Sequence, residues 1–294
     1  MQKFHLKCNG PIDLAISCLP YTENRADRKA FAGGFLYRAL RIDQVPALLK
    51  VQNSADDELD AVVVPAGKKP LPRRSRVEQA LRRKLSLDLD LPAFYRFLAR
   101  DPALGSLAEH HRGLRPILKD SLLEALSLAV ADQQVNVTFA AELKHRLLTH
   151  YGDQYELDGI PLWLFPDART LAKLDNYALR PLQYTRNKSS FIVGLARTFL
   201  ADPAWNHLTG TDESIVQRLC QLRGVGRWTA EYGAMMGLGI TDTLPAADIA
   251  LMRMVQRVAN LPDRPTEPDV RAYGARWSPW QGLVTFYLWR EEEL

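Results

Sequence analysis

Over the first 66 residues, apolar and β-branched side chains recur in short, mostly alternating patches: Lys3-Phe4-His5-Leu6, Phe35 to Ile42, Ala47 to Val51 and Ala61 to Val64. Patches with a period of two, parted by Gly, Pro and Asn-Ser, predict the strands of an antiparallel sheet. Ile12 to Leu19 is ambiguous and also fits a short helix. The stretch AGKKPLPRRSR, Ala66 to Arg76, then interrupts with two prolines and five basic residues. It predicts a linker or edge loop whose charges either stay solvated or touch a polyanion. From Val77 onward the period changes to three and four. Helices are predicted over Ser121–Val130, Phe139–Tyr151, Thr170–Leu174, Ser189–Leu200, Glu213–Gln221, Arg227–Leu238 and Ile249–Ala259. No repeat or low-complexity tract is visible. The expected class is α+β: a small N-terminal antiparallel sheet domain with its basic linker (1–76), then a large all-α domain (77–294).

Composition narrows the function classes. A chain of 294 residues, 47% hydrophobic, can bury a large core. No apolar run approaches the ~20 residues of a membrane helix, and the opening MQKFHLKCNGPIDL is too polar and broken for a signal peptide. Three scattered cysteines, Cys8, Cys18 and Cys220, are too few for a disulfide framework or a cysteine-ligated cluster. A reducing, cytoplasmic location is expected. A net charge of +4 is compatible with a polyanion partner without requiring one.

The segment LRGVGRWTAEYGAMMGLG, Leu222 to Gly239, sets two glycines around one valine between two amphipathic helices. Glycine costs about 1 kcal/mol inside a helix, so Gly224 and Gly226 need a reason. One is a tight connection of about four residues between packed helices. The other is close approach of a phosphate to backbone N–H groups at a helix start. Further on, Leu244-Pro-Ala-Ala-Asp248 leads into Ile-Ala-Leu-Met-Arg-Met-Val. Asp248 therefore opens a helix, where a plain N-cap is its ordinary role.

Taken together, the hairpin, the glycine pair, Trp-Thr-Ala and a Pro-x-x-Asp opening a helix resemble the helix-hairpin-helix DNA glycosylase superfamily. EALSLAVADQQVNV (Glu124–Val137), FPDARTLAKLD through RNKSSFIVGLA (Phe165–Ala196) and RWSPWQGLVTFYLWR (Arg276–Arg290) are similar to its 3-methyladenine DNA glycosylase II type. The resemblance spans most of residues 85–290 and, more loosely, the N-terminal sheet. It implies that Arg223, Gly224, Val225, Gly226, Arg227 and Thr229 hold the DNA backbone. It also implies a monovalent cation on the main-chain carbonyls of Cys220, Leu222 and Val225, with no other cofactor. Asp248 would be the catalytic residue facing a flipped nucleotide, with Trp228, Tyr232 and Trp289 as pocket walls. Gln133 and Gln134 stand at the wedge, where the family commonly has leucine; a simple helix cap is the alternative there. Arg223 occupies a position often held by proline and is free to add a phosphate contact. Ala247 stands where some relatives carry an acid.

The chemistry follows from the residue types. A purine alkylated at N3 or N7 is cationic, which makes it a good leaving group and attracts it to electron-rich rings. The spacing of Trp228 and Tyr232 puts them on one helix face, as core or as pocket wall. A carboxylate at Asp248 would stabilise the oxocarbenium character that develops at C1′. Asp242 and Glu231 read instead as solvated loop and helix-surface charges. Bifunctional relatives carry a lysine two residues after the second glycine, where this chain has Trp228, so no Schiff base is expected. No cysteine follows Cys220, so no iron–sulfur cluster is expected either. The resemblance thus implies a monofunctional enzyme hydrolysing the N-glycosidic bond of 3-methyladenine and 7-methylguanine in base excision repair. Its partner would be damaged double-stranded DNA, in the nucleoid and away from membranes, and it would act as a monomer. The competing alternatives are a bifunctional oxidised-base glycosylase/lyase and a non-catalytic DNA-binding module.

Overall fold

The computed structural model describes residues 1–22 and 31–292. Strands β1 (Gln2–Lys7), β2 (Phe31–Ala32), β3 (Phe35–Ile42), β4 (Val45–Ala55) and β5 (Glu58–Pro65) form one antiparallel sheet in the order β1-β5-β4-β3-β2. Asp43 and Gln44 both adopt positive φ, as a two-residue turn between twisted strands demands. The ambiguous stretch after β1 is helical, as α1 (Leu14–Thr22). One sheet face, with Phe4, Leu6, Leu49 and Val63, packs on Val77 and Leu81 of α2 (Arg74–Lys84). The basic stretch is therefore irregular only to Arg73. Its last three residues form the first turn of α2, which begins just past Pro70 and Pro72 and is held down by Val77 and Leu81.

The second domain is mostly helical, as expected, but one hairpin keeps it from being all-α. β6 (Asp153–Leu157) and β7 (Ile160–Leu164) form an antiparallel hairpin around Asp158-Gly159, both at positive φ. Leu162 and Leu164 cover the other face of the sheet at Tyr37, Ala39 and Leu48. Lys50 Nζ, 2.5 Å from Asp158 Oδ2, pins the turn. The hairpin forms because it shields apolar sheet surface that would otherwise face water.

The remaining chain is helical: α3 (Leu91–Leu98), α4 (Leu107–His110), α5 (Leu122–Asp132), α6 (Val137–Tyr151), α7 (Ala168–Ala172), α8 (Arg186–Ala201), α9 (Asp212–Leu219), α10 (Arg227–Gly233), α11 (Ile249–Val258), α12 (Glu267–Gly274) and α13 (Gln281–Glu292). One core gathers Leu126, Val130, Leu147, Ile192 and Leu219 from α5, α6, α8 and α9. A second gathers Phe94, Leu107, Leu251, Met254 and Tyr287 from α3, α4, α11 and α13. Helix α10 and the wider π-helical turn that prolongs it, Ala234–Leu238, belong to both: Ala230 and Ala234 enter the first core, Met235 and Met236 the second. The central helix thus lies between the two halves and packs against both. Arg115, fully buried, ties the sheet to the helices by donating to the carbonyls of Asn9, Gly10, Pro11, Ser86 and Leu89.

Candidate active site

Asp248 is the N-cap of α11. Its Oδ1 accepts from Leu251 N at 2.9 Å, so the capping role expected from sequence is present. The same carboxylate does more. Trp289 Nε1 on α13 donates to Oδ1 at 3.0 Å, and Trp228 Nε1 on α10 donates to Oδ2 at 3.1 Å. Both oxygens are thereby oriented by side chains from two other helices. Tyr232 lies between the indoles, stacked on Trp228 with ring centroids 5.7 Å apart and tilted against Trp289 at 6.2 Å. All four side chains are partly exposed. The four residues singled out for the catalytic group and pocket walls are therefore one contiguous cluster: an aromatic arc closed at its ends by a single carboxylate. Such an arc can stack a planar cation, and the carboxylate can face positive charge developing beside it.

Residues 220–226 connect α9 to α10, a longer link than the four residues expected, because α9 ends at Leu219. The two glycines have different reasons. Gly224 has φ +87°, and a Cβ there would lie 2.2 Å from the Phe191 ring, so the fold itself requires glycine. Gly226, the N-cap of α10, has φ −82° and ψ 174°, which any residue adopts, and a Cβ there would meet nothing within 4 Å. It offers no side-chain cap and is exposed. Among the described residues nothing requires glycine at 226, and its missing side chain leaves the first turn of α10 open.

The other hairpin side chains divide. Arg223 is exposed, its guanidinium 5.8 Å from the Phe191 ring. Arg227 is engaged internally, with Nη1 and Nη2 at 2.9 and 2.7 Å from Glu213 and Nε at 2.9 Å from Glu231. Thr229 is buried, its Oγ1 accepting from Gln133 Nε2 at 3.0 Å. Arg227 and Thr229 thus support the hairpin from within. The Leu222 carbonyl accepts from Val225 N–H at 3.0 Å, closing the turn that carries the Cys220, Leu222 and Val225 carbonyls.

Glu231 is not a surface charge. It is 2% exposed and lies between Arg227 and Arg271, whose Nη1 is 3.0 Å away. Burial pushes its carboxyl above the usual range, against the pull of the two guanidiniums. The Arg227/Glu231 spacing of four looks like an exposed helix pair, but α10 is buried on this side as well. Asp242 is half-buried, with Oδ2 accepting from Ser278 Oγ at 2.7 Å, so it too is more than a solvated loop charge. A cavity of about 520 Å³ opens beside Glu231, Asp242 and Arg271; Asp248 and the aromatic arc do not line it.

At the wedge, the cap alternative resolves by residue. Gln133 is the C-cap of α5 and Asn136 the N-cap of α6, while Gln134 is neither. Gln134 is exposed, with φ +53°.

Residues 128–279 match the HhH-GPD superfamily base excision DNA repair protein model, just over half of the chain. The chain belongs to this superfamily. A DNA-3-methyladenine glycosylase of Bacillus subtilis is 31% identical over 74% of this chain and 73% of its own length. DNA-3-methyladenine glycosylase 2 of Escherichia coli is 30% identical over 65% of this chain and 64% of its own. Among solved structures, a 3-methyladenine DNA-glycosylase from Archaeoglobus fulgidus superposes with a TM-score of 0.86 over 99% of both chains at 21% identity. At that identity the superposition establishes the fold, the N-terminal sheet included. Among the described residues, no helix is long and apolar enough to cross a membrane.

Proposed function

We propose that the protein binds duplex DNA and excises alkylated purines, 3-methyladenine and 7-methylguanine, by hydrolysing the N-glycosidic bond. The observation that carries this is the carboxylate of Asp248 held by two indole N–H groups at the ends of the Trp228–Tyr232–Trp289 arc. An everted cationic base stacks on the arc, which attracts it by about 0.5–2 kcal/mol per favourable ring contact. The C1′–N bond breaks as its electron pair leaves with the base, whose positive charge is thereby neutralised. Asp248 faces the charge left on the sugar and directs a water whose oxygen bonds to C1′ while one of its O–H bonds breaks and that proton is released to solvent. Gly226 and the α10 N-terminus receive a phosphate, Arg223 adds a cationic contact and Gln134 fills the vacated stack.

Of the three neutral carbonyls, that of Cys220 belongs to the C-cap of α9, where the helix dipole favours positive charge, and those of Leu222 and Val225 follow in the same connection. That donor set suits a hard monovalent cation, which would help hold a DNA phosphate. That the Bacillus subtilis and Escherichia coli relatives are DNA-3-methyladenine glycosylases supports alkylated-base excision. The absence of a lysine at Trp228 argues for hydrolysis without strand cleavage.

Chromatography of bases released from single-lesion duplexes tests this. Release of 7-methylguanine should exceed that of 8-oxoguanine, with intact strands before alkali and no borohydride-trapped adduct. Faster 8-oxoguanine release, or a trapped adduct, would favour the oxidised-base alternative.

A further inference from the structure

The turn between α5 and α6 carries two adjacent glutamines in different employment. Gln134 is exposed, with a left-handed backbone that projects it from the surface. Gln133 is half-buried and turned inward. Its Nε2 donates both hydrogens to the hairpin, one to the Gly224 carbonyl at 3.1 Å and one to Thr229 Oγ1 at 3.0 Å. Those partners lie 91 and 96 residues away in sequence. We infer that Gln133 is a positioning residue that locks the wedge turn to the phosphate hairpin, setting the height of Gln134 above the backbone grip without entering the duplex itself. The inference rests on the glycosylase activity proposed above.

Both ends of this tie are rigid. On the hairpin side, Gly224 is fixed by its positive φ against Phe191, and Thr229 is 2% exposed in the first turn of α10. On the wedge side, buried Lys188 donates from Nζ to the Ala131 carbonyl at 2.9 Å, closing the end of α5. Lys144 pairs with Asp132 at 2.6 Å, and Asn136 caps α6 immediately beyond. The turn is thus anchored on α8 and α6, but among these contacts only Gln133 reaches the hairpin. A wedge and a phosphate grip that move as one body spend DNA-binding energy on unstacking a base rather than on bending the protein. Loosening the tie should therefore separate two properties that are otherwise linked. Backbone affinity should persist while base eversion fails.

Gln133→Met keeps the length and apolar stem of the side chain and removes both donors. Thr229→Val removes one acceptor at the far end. Duplexes with 2-aminopurine beside 7-methylguanine report unstacking by fluorescence, and the same duplexes report base release in single turnover. For Gln133→Met, the unstacking signal and release rate should fall roughly ten-fold, the value of one to two net hydrogen bonds. Affinity for undamaged duplex should stay near wild type. Thr229→Val should lose part of the same effect, and the double variant should be no worse than Gln133→Met alone. Wild-type unstacking in Gln133→Met, losses that multiply in the double variant, or an equal loss of undamaged-duplex affinity would each overturn the tie. A wild-type protein that releases no base overturns the glycosylase activity itself. That result differs from an active wild type matched by Gln133→Met.

Discussion

Two indole N–H groups converge on one carboxylate from helices that are far apart in sequence. Trp228 lies 20 residues before Asp248 and Trp289 lies 41 after it. Each tryptophan therefore has two separable parts, a face that stacks and an edge that orients Asp248. Trp289→Phe keeps a ring but loses the donor. Its single-turnover release of 7-methylguanine should be roughly ten-fold slower, with binding to an abasic-site duplex near wild type. A rate equal to wild type would reduce Trp289 to a stacking wall. At this scale the sequence is partly informative. Asp248 is legible because Pro-x-x-Asp before an apolar helix is a local signal. The indole hydrogen bonds are not, because they exist only where α10, α11 and α13 meet. Glu231 misleads for a related reason: spacing of four to Arg227 fits an exposed pair as well as a buried one, and only Arg271, from α12, decides.

Among the elements, the hairpin between α9 and α10 has one glycine required by the fold and one that faces open space, which we assign to the DNA backbone. Gly224→Ala must force a left-handed backbone, costing about 1–2 kcal/mol, before the Phe191 ring is displaced. The melting temperature should fall by at least roughly 2 °C. Gly226→Leu meets open space and should leave melting nearly unchanged. It should instead weaken binding to all duplexes alike and flatten the salt slope by about 0.9 for each phosphate no longer held. Melting and salt titration of the two variants check this pair; reversed effects would contradict the division of labour. The long helices are legible because each buries a continuous stripe, as α8 does with Ile192, Leu195, Ala196 and Phe199. The β6–β7 hairpin escapes a pattern reading although Asp158-Gly159 is a strong turn signal, because its strands are short and one begins with polar Asp153 and Gln154. α3 and α12, of eight residues each, offer about two turns of periodicity and escape it as well.

For the whole molecule, the sheet and the helices share one framework, and Arg115 is its clearest joint. It donates to five carbonyls from both parts while fully buried. Arg115→Met leaves several of them unpaired and should cost at least about 3 kcal/mol in urea unfolding. A loss below about 1 kcal/mol, on the same order as a surface change, would mean that the two parts are joined elsewhere. That framework brings α10, α11 and α13 to one point, and Asp248 sits there. The most direct measurement is single-turnover release of 7-methylguanine by wild type and Asp248→Asn, alongside binding of both to an abasic-site duplex. Asparagine keeps the shape and an acceptor for the cap but removes the charge. Release should fall about 10²–10³-fold with binding nearly intact. Near wild-type release by Asp248→Asn would contradict the assignment of Asp248 as the catalytic residue.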